Sequence, residues 1–444
     1  MKFLYHLFLI SYRVQQWSLK RLTPAGWGVL ICLMATAVVG IDTKQTTAYQ
    51  ILTFLLAVLI VAVAFSCYFP SRLIVQRSLP KFATVGFKLS YRVTITNKSR
   101  VKETGLLFLE EIAHPKFSLA EFRQIIKAAS KKGSINSLIY IYYRWLKTIS
   151  RQKKAKTKAI ALPTLKAQST TEVKGEIIPT HRGVVRLKGI TILRPDPFNL
   201  FNASRTIHQP GSLLVLPKRY QLPTIQLPGS RVAQSGTISQ AASKGDSAEF
   251  VALRDYRPGD PLRKIHWKSW AKTGKPIVKV EQSEFFVRQA LILDTFQSAD
   301  RSEILEEAIA VAASFACNLQ TQESLLDLMF VGLDSYSFPA DSFGNDERML
   351  EILAGVTAQD NTCDSLTAAI AQKASMLSSC ICILIGWDEH RQKLISYLQK
   401  LNIPLLILLI TEDEQRYPDL NIENLYTLPL GKIQTALMTI KTKY

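Results

Sequence analysis

Two uninterrupted apolar runs open the chain. Residues 22–41, LTPAGWGVLICLMATAVVGI, and residues 51–69, ILTFLLAVLIVAVAFSCYF, carry no charged side chain. A helix of about 20 apolar residues crosses a bilayer core of roughly 30 Å. The runs therefore predict a transmembrane hairpin over 22–69, with a cytoplasmic segment 1–21 ahead of it. A cleaved signal peptide would need a small-residue cleavage site after a short apolar region, and none follows. Two such runs joined by a short connector are also unusual in a soluble core.

Between residues 71 and 226 the pattern shortens to a period of two. RLIVQRSLP, FKLSYRVTITNKS and GVVRLKGITIL are broken by Asn, Gly and Pro, and short alternating strands of this kind predict an antiparallel β-sandwich. A basic helical insert over about 121–161 interrupts it, with Tyr140, Tyr142, Tyr143 and Trp145 among lysines and arginines. An interfacial helix, rings at head-group level and lysines on phosphates, accounts for that mixture; so does a solvated helical hairpin packed on the sandwich. Residues 227–247 are rich in Gly, Ser, Ala and Gln and read as a linker.

From 287 to 444 the apolar runs become continuous: QALILDTF, LLDLMFVGL, SSCICILIGW and IPLLILLI, with helical segments between them. Strands apolar on both faces and separated by helices predict a parallel, doubly wound α/β domain. A ligand site in such a fold lies at the carboxyl ends of the strands.

Charge changes this picture in one respect. Lys and Arg number 55 against 35 Asp and Glu, a net +20 over 444 residues, which calls for an anionic neighbour, phospholipid or nucleic acid. Lys2, Arg13, Lys20 and Arg21 precede the first run and Arg72, Arg77 and Lys81 follow the second, whereas the connector has only Lys44 beside Asp42. The positive-inside rule then puts both termini and the soluble domains in the cytoplasm of a multi-pass protein. The basic residues lie within reach of an anionic inner leaflet, where each contributes about 1 kcal/mol. The six cysteines include no C-x-x-C pair and no His at metal spacing, which fits buried thiols in a reducing compartment.

Residues 249–284, EFVALRDYRPGDPLRKIHWKSWAKTGKPIVKVEQSE, are the densest mixture of charge and aromatic rings. Arg257 to Asp260 reads as a turn, 262–271 as a short helix ended by Gly274, and 276–281 as a strand. Ile265 and Trp267 are expected to fill apolar space. Arg254, Asp255, Asp260 and Arg263 are suited to forked carboxylate pairs in a partly buried network. Such a network either docks the sandwich onto the α/β domain or faces a partner.

This block, at Glu249, Phe250, Leu253, Arg254, Tyr256, Pro258, Gly259, Asp260, Arg263, Ile265, Trp267 and Glu281, resembles the signature of the "domain of unknown function 58" family. Lys272 stands where that family usually has Arg. Residues 180–201, THRGVVRLKGITILRPDPFNLF, resemble its D-P-F-G-L-F element, with Asn199 in place of Gly. The resemblance implies a C-terminal region similar to a von Willebrand factor type A domain, whose divalent-metal site is built from D-x-S-x-S. Asp294 and Ser298 match that motif, Phe296 replaces its central hydroxyl, and Thr362 and Asp388 supply the remaining oxygens by position. The implied site is degraded, with a divalent cation such as Mg²⁺ as its only candidate cofactor. The resemblance also implies a bacterial inner-membrane protein working with a MoxR-type AAA+ ATPase in chaperone-like assembly or envelope stress.

No G-x-x-x-x-G-K-[ST], H-E-x-x-H or G-x-S-x-G pattern occurs, so an enzyme is not expected. His266, the one histidine of the signature, reads as a structural donor rather than a general base. A non-enzymatic, membrane-anchored scaffold is the expected function. Nucleic-acid binding, favoured by the net charge, and a metal-dependent adhesion-type module are the alternatives.

Overall fold

The computed structural model describes residues 2–39, 46–67, 69, 72–113, 119, 122–123, 126, 137–223, 249–260, 262, 265–282, 287–297, 302–318, 324–331, 335–338, 346–359, 364–374, 377–412 and 422–440. The chain divides into two compact units, Met1–Pro217 and Lys218–Tyr444. The predicted linker at 227–247 lies outside the described residues.

The first unit begins with three helices: α1 (Lys2–Arg21), α2 (Pro24–Val39) and α3 (Thr46–Cys67). One of them, over Thr47–Cys67, is long and apolar enough to cross a membrane. Of the two predicted spans, 22–41 and 51–69, the second coincides with this helix; the first holds α2, whose 16 residues reach roughly 24 Å at 1.5 Å per residue, and residues 40 and 41 lie outside the described residues. The first turn of α2 is held by protein. Pro24 opens the helix, where its missing N–H costs nothing, and the Thr23 hydroxyl accepts the Gly26 N–H at 3.1 Å. The same hydroxyl donates to the Asn199 carbonyl at 2.5 Å. A Cβ on Gly26 would lie 2.2 Å from the Leu200 carbonyl oxygen, so only glycine lets the helix approach this closely.

The loop that α2 meets is the D-P-F-N-L-F element. Asp196 folds it by accepting the Leu200 and Phe201 N–H groups, each at 3.0 Å. Asn199 has φ +55°, a left-handed conformation that Asn tolerates better than most residues, and this explains how it replaces the family's usual Gly. Leu200 and Phe201 pack with Ala62, Val58, Leu59, Val29 and Leu22, and Ser66 donates to the Asn202 carbonyl at 3.2 Å. The loop thus seats both apolar helices on the β domain.

That domain is a sandwich of two sheets. One has the order β1 (Leu73–Ser78), β3 (Leu89–Asn97), β7 (Thr170–Pro179), β5 (Ala155–Thr157); the other β2 (Phe82–Thr84), β9 (Asn202–Leu216), β8 (Gly183–Pro195), β4 (Leu107–Ile112), β6 (Ile160–Ala161). Pairing is antiparallel except for β2 on β9, which is parallel. Alternate residues, among them Val93, Ile95, Ile177, Phe108, Ile192, Leu213 and Val215, turn inward to one core, as the period-two pattern requires. Arg77 of β1 forms a buried ion pair with Glu110 of β4, and Tyr91 of β3 donates to the same carboxylate at 2.7 Å. Burial pushes the Glu110 carboxyl up despite these two partners.

The insert is shorter than 121–161 suggested. Its helix α4 spans Ser137–Gln152, and residues 155–157 and 160–161 are strands, one in each sheet. Of the rings expected at a membrane interface, Trp145 is fully buried. It packs with Phe8 and Tyr12 of α1, Phe122 and Tyr142. Tyr140 and Tyr143 are exposed. The C-terminal end of α1 is tied to the sandwich by Lys20, 2.5 Å from Glu111. Burial pushes Glu111 up, but Lys20 and the Thr191 hydroxyl outweigh it and hold the carboxyl below its ordinary range.

The second unit starts at Lys218, so the predicted sandwich end at 226 moves back to Pro217. Tyr220 belongs to the new unit, its N–H donating to Ser314 at 2.7 Å and its hydroxyl to Glu307 at 2.5 Å. The unit's main sheet has the order β14 (Ser335–Phe338), β13 (Ser324–Val331), β12 (Val287–Leu293), β15 (Ser379–Leu384), β16 (Leu405–Thr411), β17 (Leu425–Pro429). The four continuous apolar runs form the parallel centre, and the sequence reading missed both edges. β14 is antiparallel to β13, and β17 runs parallel to β16 with only partly buried residues at its start. Helix α6 (Glu303–Asn318) packs with α7 (Asp346–Gly355), while Leu366 and Ile370 of α8 (Asp364–Lys373) join Leu394 and Leu398 of α9 (Glu389–Lys400) in the core of the other face. Cys380 and Cys382 are free thiols buried in β15, and burial pushes Cys380 up to about 12. The signature forms its own two-stranded sheet, β10 (Glu249–Asp255) against β11 (Ile277–Gln282).

Candidate functional site

The hairpin β10–β11 carries the signature residues on its connection. Its ladder pairs Glu249 with Gln282 and Phe250 with Glu281 at one end and Asp255 with Ile277 at the other. Tyr256 continues the ladder through its N–H to the Pro276 carbonyl at 2.9 Å. Pro258 and Gly259 make the turn, Gly259 at φ +108°. Asp260 closes it. Its Oδ2 accepts the Arg257 N–H at 2.9 Å, and its two oxygens take the Arg254 fork at 2.7 and 2.6 Å. These hydrogen bonds, Arg254 first, hold the Asp260 carboxyl below the usual range.

The structure brings Arg254 and Asp260 together; Asp255 joins them through its backbone carbonyl, which accepts from Arg254 Nη1 at 3.1 Å, and Arg263 lies outside the described residues. The Arg254 side chain is 41% exposed and that of Asp260 16%, so the fork sits at the surface with its carboxylate partly covered. The helix also starts later than 262. It is the short α5, Trp267–Thr273, ended by Gly274 at φ +67° with its N–H on the Trp270 carbonyl. His266 sits ahead of it, its Nδ1 2.7 Å from the Ser269 hydroxyl, and its N–H donates to the Ile277 carbonyl at 2.8 Å.

Ile265 is buried against Val278, as its type predicts. Trp267 is not: it is 64% exposed, and Leu262 is 66% exposed. The reason is spacing. With the helix beginning at Trp267, its ring stacks on Trp270 three residues on, at 5.2 Å and 18°, and i, i+3 neighbours share a helix face. Among the described residues no second layer covers that face. Leu262 and Trp267 are thus exposed apolar side chains in the segment that follows the Arg254–Asp260 turn, a segment that also carries the exposed Lys268, Lys272 and Lys275.

The second cluster is at the carboxyl ends of β12 and β15, where the strand order reverses direction from β12 to β13 on one side and to β15 on the other. Asp294 follows β12 and is fully buried. Its Oδ1 accepts the Phe296 N–H at 3.0 Å and its Oδ2 the Ile385 N–H at 3.1 Å. Arg391, from α9, adds Nε on Oδ2 at 2.5 Å and Nη2 on Oδ1 at 3.2 Å. The same guanidinium reaches the Phe296 carbonyl at 2.7 Å and pairs with Asp388, which caps α9 by accepting the Arg391 N–H at 3.0 Å.

A divalent cation does not fit these donors. Asp294 and Asp388, the two carboxylates expected to hold it, are brought together around Arg391, which already supplies the positive charge and occupies the space between them. A hard dication needs several free oxygens and would stand against the guanidinium. Ser298 and Thr362, the other two predicted ligands, lie outside the described residues, and among the described residues no group of acidic, His or Cys side chains is placed to hold a metal. Arg391 was missed in the sequence. Its signal was local: Asp388 followed three residues later by Arg391 at the head of a helix, an N-cap with a cation in its first turn where the macrodipole disfavours one.

Residues 252–375 match the family model described as "protein of unknown function DUF58". No curated protein matches the sequence. Among solved structures, the chain is similar to the CARDB domain of a Pyrococcus furiosus protein, at 11% identity over 33% of this chain and 94% of that one, TM-score 0.17. It is also similar to a Salmonella alpha-2-macroglobulin mutant, at 11% identity over 36% and 8%, TM-score 0.18, and to a Listeria innocua beta-glucosidase in complex with gluconolactone, at 14% identity over 33% and 16%, TM-score 0.17.

Proposed function

We propose, from the match of residues 252–375 to the family model described as "protein of unknown function DUF58", that the chain is a membrane-anchored, non-enzymatic scaffold whose signature hairpin receives a protein partner. The observation that carries this reading is the exposure of Leu262 and Trp267 beside the stacked Trp270. Leaving an indole in water forgoes roughly 1.5–3 kcal/mol of burial, and Trp and Arg are the residues that dominate binding hot spots. The Arg254–Asp260 fork fixes the turn next to them, so little side-chain entropy is lost on docking.

The partner we propose is a MoxR-type AAA+ ATPase, as the family resemblance implies. The chain has no phosphate-binding loop motif, so a scaffold role in assembly or envelope stress would draw its energy from that partner. In this reading α2 and α3 form an inner-membrane hairpin, both termini and both units are cytoplasmic, and the open α/β sheet is of von Willebrand factor type A kind with Arg391 in place of its cation.

A photoreactive residue at position 262 of the full chain, crosslinked in native membranes, tests the reading. The expected adduct is a AAA+ ATPase, and Trp267→Ala lowers its yield at least about tenfold, the loss that corresponds to a hot-spot residue. An adduct confined to the chain's own residues makes the hairpin an internal docking element. Capture of nucleic acid instead, lost steeply with salt, would favour the nucleic-acid alternative.

A further inference from the structure

Helix α1 carries an apolar stripe that nothing among the described residues of the unit covers. Phe3, Leu7, Ile10, Val14 and Trp17 recur at alternating spacings of four and three, and all five are between 48% and 81% exposed. That spacing puts them along one side of the helix. The other side is spoken for: Leu4, Tyr5, Phe8, Leu9 and Tyr12 pack with Phe122, Ile141, Trp145 and Ile149. The helix is therefore fixed about its own axis, with one face against α4 and the stripe turned outward.

We propose that this stripe lies in the anionic surface of a bilayer, so that α1 is an interfacial helix. The inference rests on the reading of α3 as a membrane span. Three observations select this occupant. First, α1 carries Lys2, Arg13 and Arg21, besides the Lys20 held by Glu111, and no acidic residue, the charge complement of anionic head groups. Second, it ends at Arg21, three residues before α2, the first of two apolar helices that share a core with Leu22 and the Asp196–Phe201 loop. Third, Trp17 lies under the Arg21 guanidinium, 5.4 Å from it, the combination of amphipathic ring and cation found at head-group depth. A second copy of the chain is the other occupant that a four–three stripe suits, but such a seam is flanked by pairs of opposite charge, and two copies of α1 would bring only cations together.

The consequence is a second membrane contact that does not span. It would hold α4, and through the Lys20–Glu111 pair the sandwich, at a fixed height above the lipid. The full chain is reconstituted in phosphatidylethanolamine–phosphatidylglycerol vesicles with a photoreactive phenylalanine at Ile10, at Val14 or, as the reference inside α3, at Phe54. Lipid adducts at Ile10 and Val14, reduced at least about threefold by the double change Lys2→Glu and Arg13→Glu, are the expected result. With Phe54 labelled by lipid, chain-to-chain adducts at Ile10 would replace the bilayer by a second copy, and no adduct there would overturn the inference alone. No lipid adduct at Phe54 would overturn the anchoring reading itself and this inference with it.

Discussion

The second unit holds two arginine–carboxylate forks, one made side-on through Nε and Nη2 and one end-on through Nη1 and Nη2, in different surroundings. Arg391 grips Asp294 at 2.5 and 3.2 Å; Arg254 grips Asp260 at 2.7 and 2.6 Å. The first carboxylate is fully buried and also takes two backbone N–H groups. The second is 16% exposed beside an arginine that is 41% exposed, and takes one backbone N–H. Identical chemistry therefore does two jobs. In the interior, where an unpaired charge is intolerable, the fork is a fastener between two strand ends and α9. At the surface, where ion pairs contribute little stability, the fork sets the shape of a turn ahead of two tryptophans in the chain.

The largest expected effect separates them by stability. Asp294→Ala leaves Arg391 buried without its main partner, and breaking a buried pair on one side costs about 3–5 kcal/mol. Pulse proteolysis of the full chain across a urea series should show the 218–444 unit opening at markedly lower denaturant. Replacing both members, Asp294→Leu with Arg391→Met, should recover a good part of that loss, because well-packed apolar pairs often substitute for buried ions. If the double change is as damaging as the single one, Arg391 holds the strand ends by its contacts to the Phe296 carbonyl and Asp388 more than by Asp294.

A smaller expected effect comes from the exposed side. Trp267→Ala in the same assay should move the transition by no more than about 0.5 kcal/mol, the usual range for a surface change, while lowering the yield of the partner adduct at least about tenfold. A clear loss of stability would mean that the indole already packs on something in the full-length protein, and would turn the hairpin from a partner surface into an internal contact.

These outcomes bear on what the sequence discloses. Periodicity found the parallel strands because a strand covered on both faces must be apolar throughout, and it found the sandwich because one covered face enforces alternation. It assigned Trp267 to the interior because an apolar type reports a preference for burial and not the presence of a second layer. Arg391 escaped because it meets Asp294 across 97 residues of sequence, a pairing fixed by the β12–β15 register. The α1 stripe was visible at 3, 7, 10, 14 and 17, yet its opposite face gains meaning only when α4, more than a hundred residues later, folds onto it. The Asp196–Phe201 element was recognised from its residues, but its contact with Gly26 depends on distance alone.

The smallest expected effect tests the exposed fork by pH. Asp260 is held below its ordinary value of about 3.9 by Arg254 and by the Arg257 N–H. A carboxylate with a depressed folded pKa contributes its stabilisation fully above the unfolded value and loses it as pH falls through the folded one. The turn should thus keep its shape from neutrality down through the ordinary aspartate range and loosen only below it. The reporter is the Arg257 amide, whose hydrogen goes to Asp260 Oδ2 at 2.9 Å. Its exchange protection, corrected for intrinsic rate, should persist at pH 4 and fall below it. Arg254→Gln should raise that midpoint toward the ordinary value without shifting the urea transition of the unit. A unit-wide loss of protection in the same window would mean that the fork stabilises the fold as the Asp294 pair does, and the contrast between the two would be one of degree.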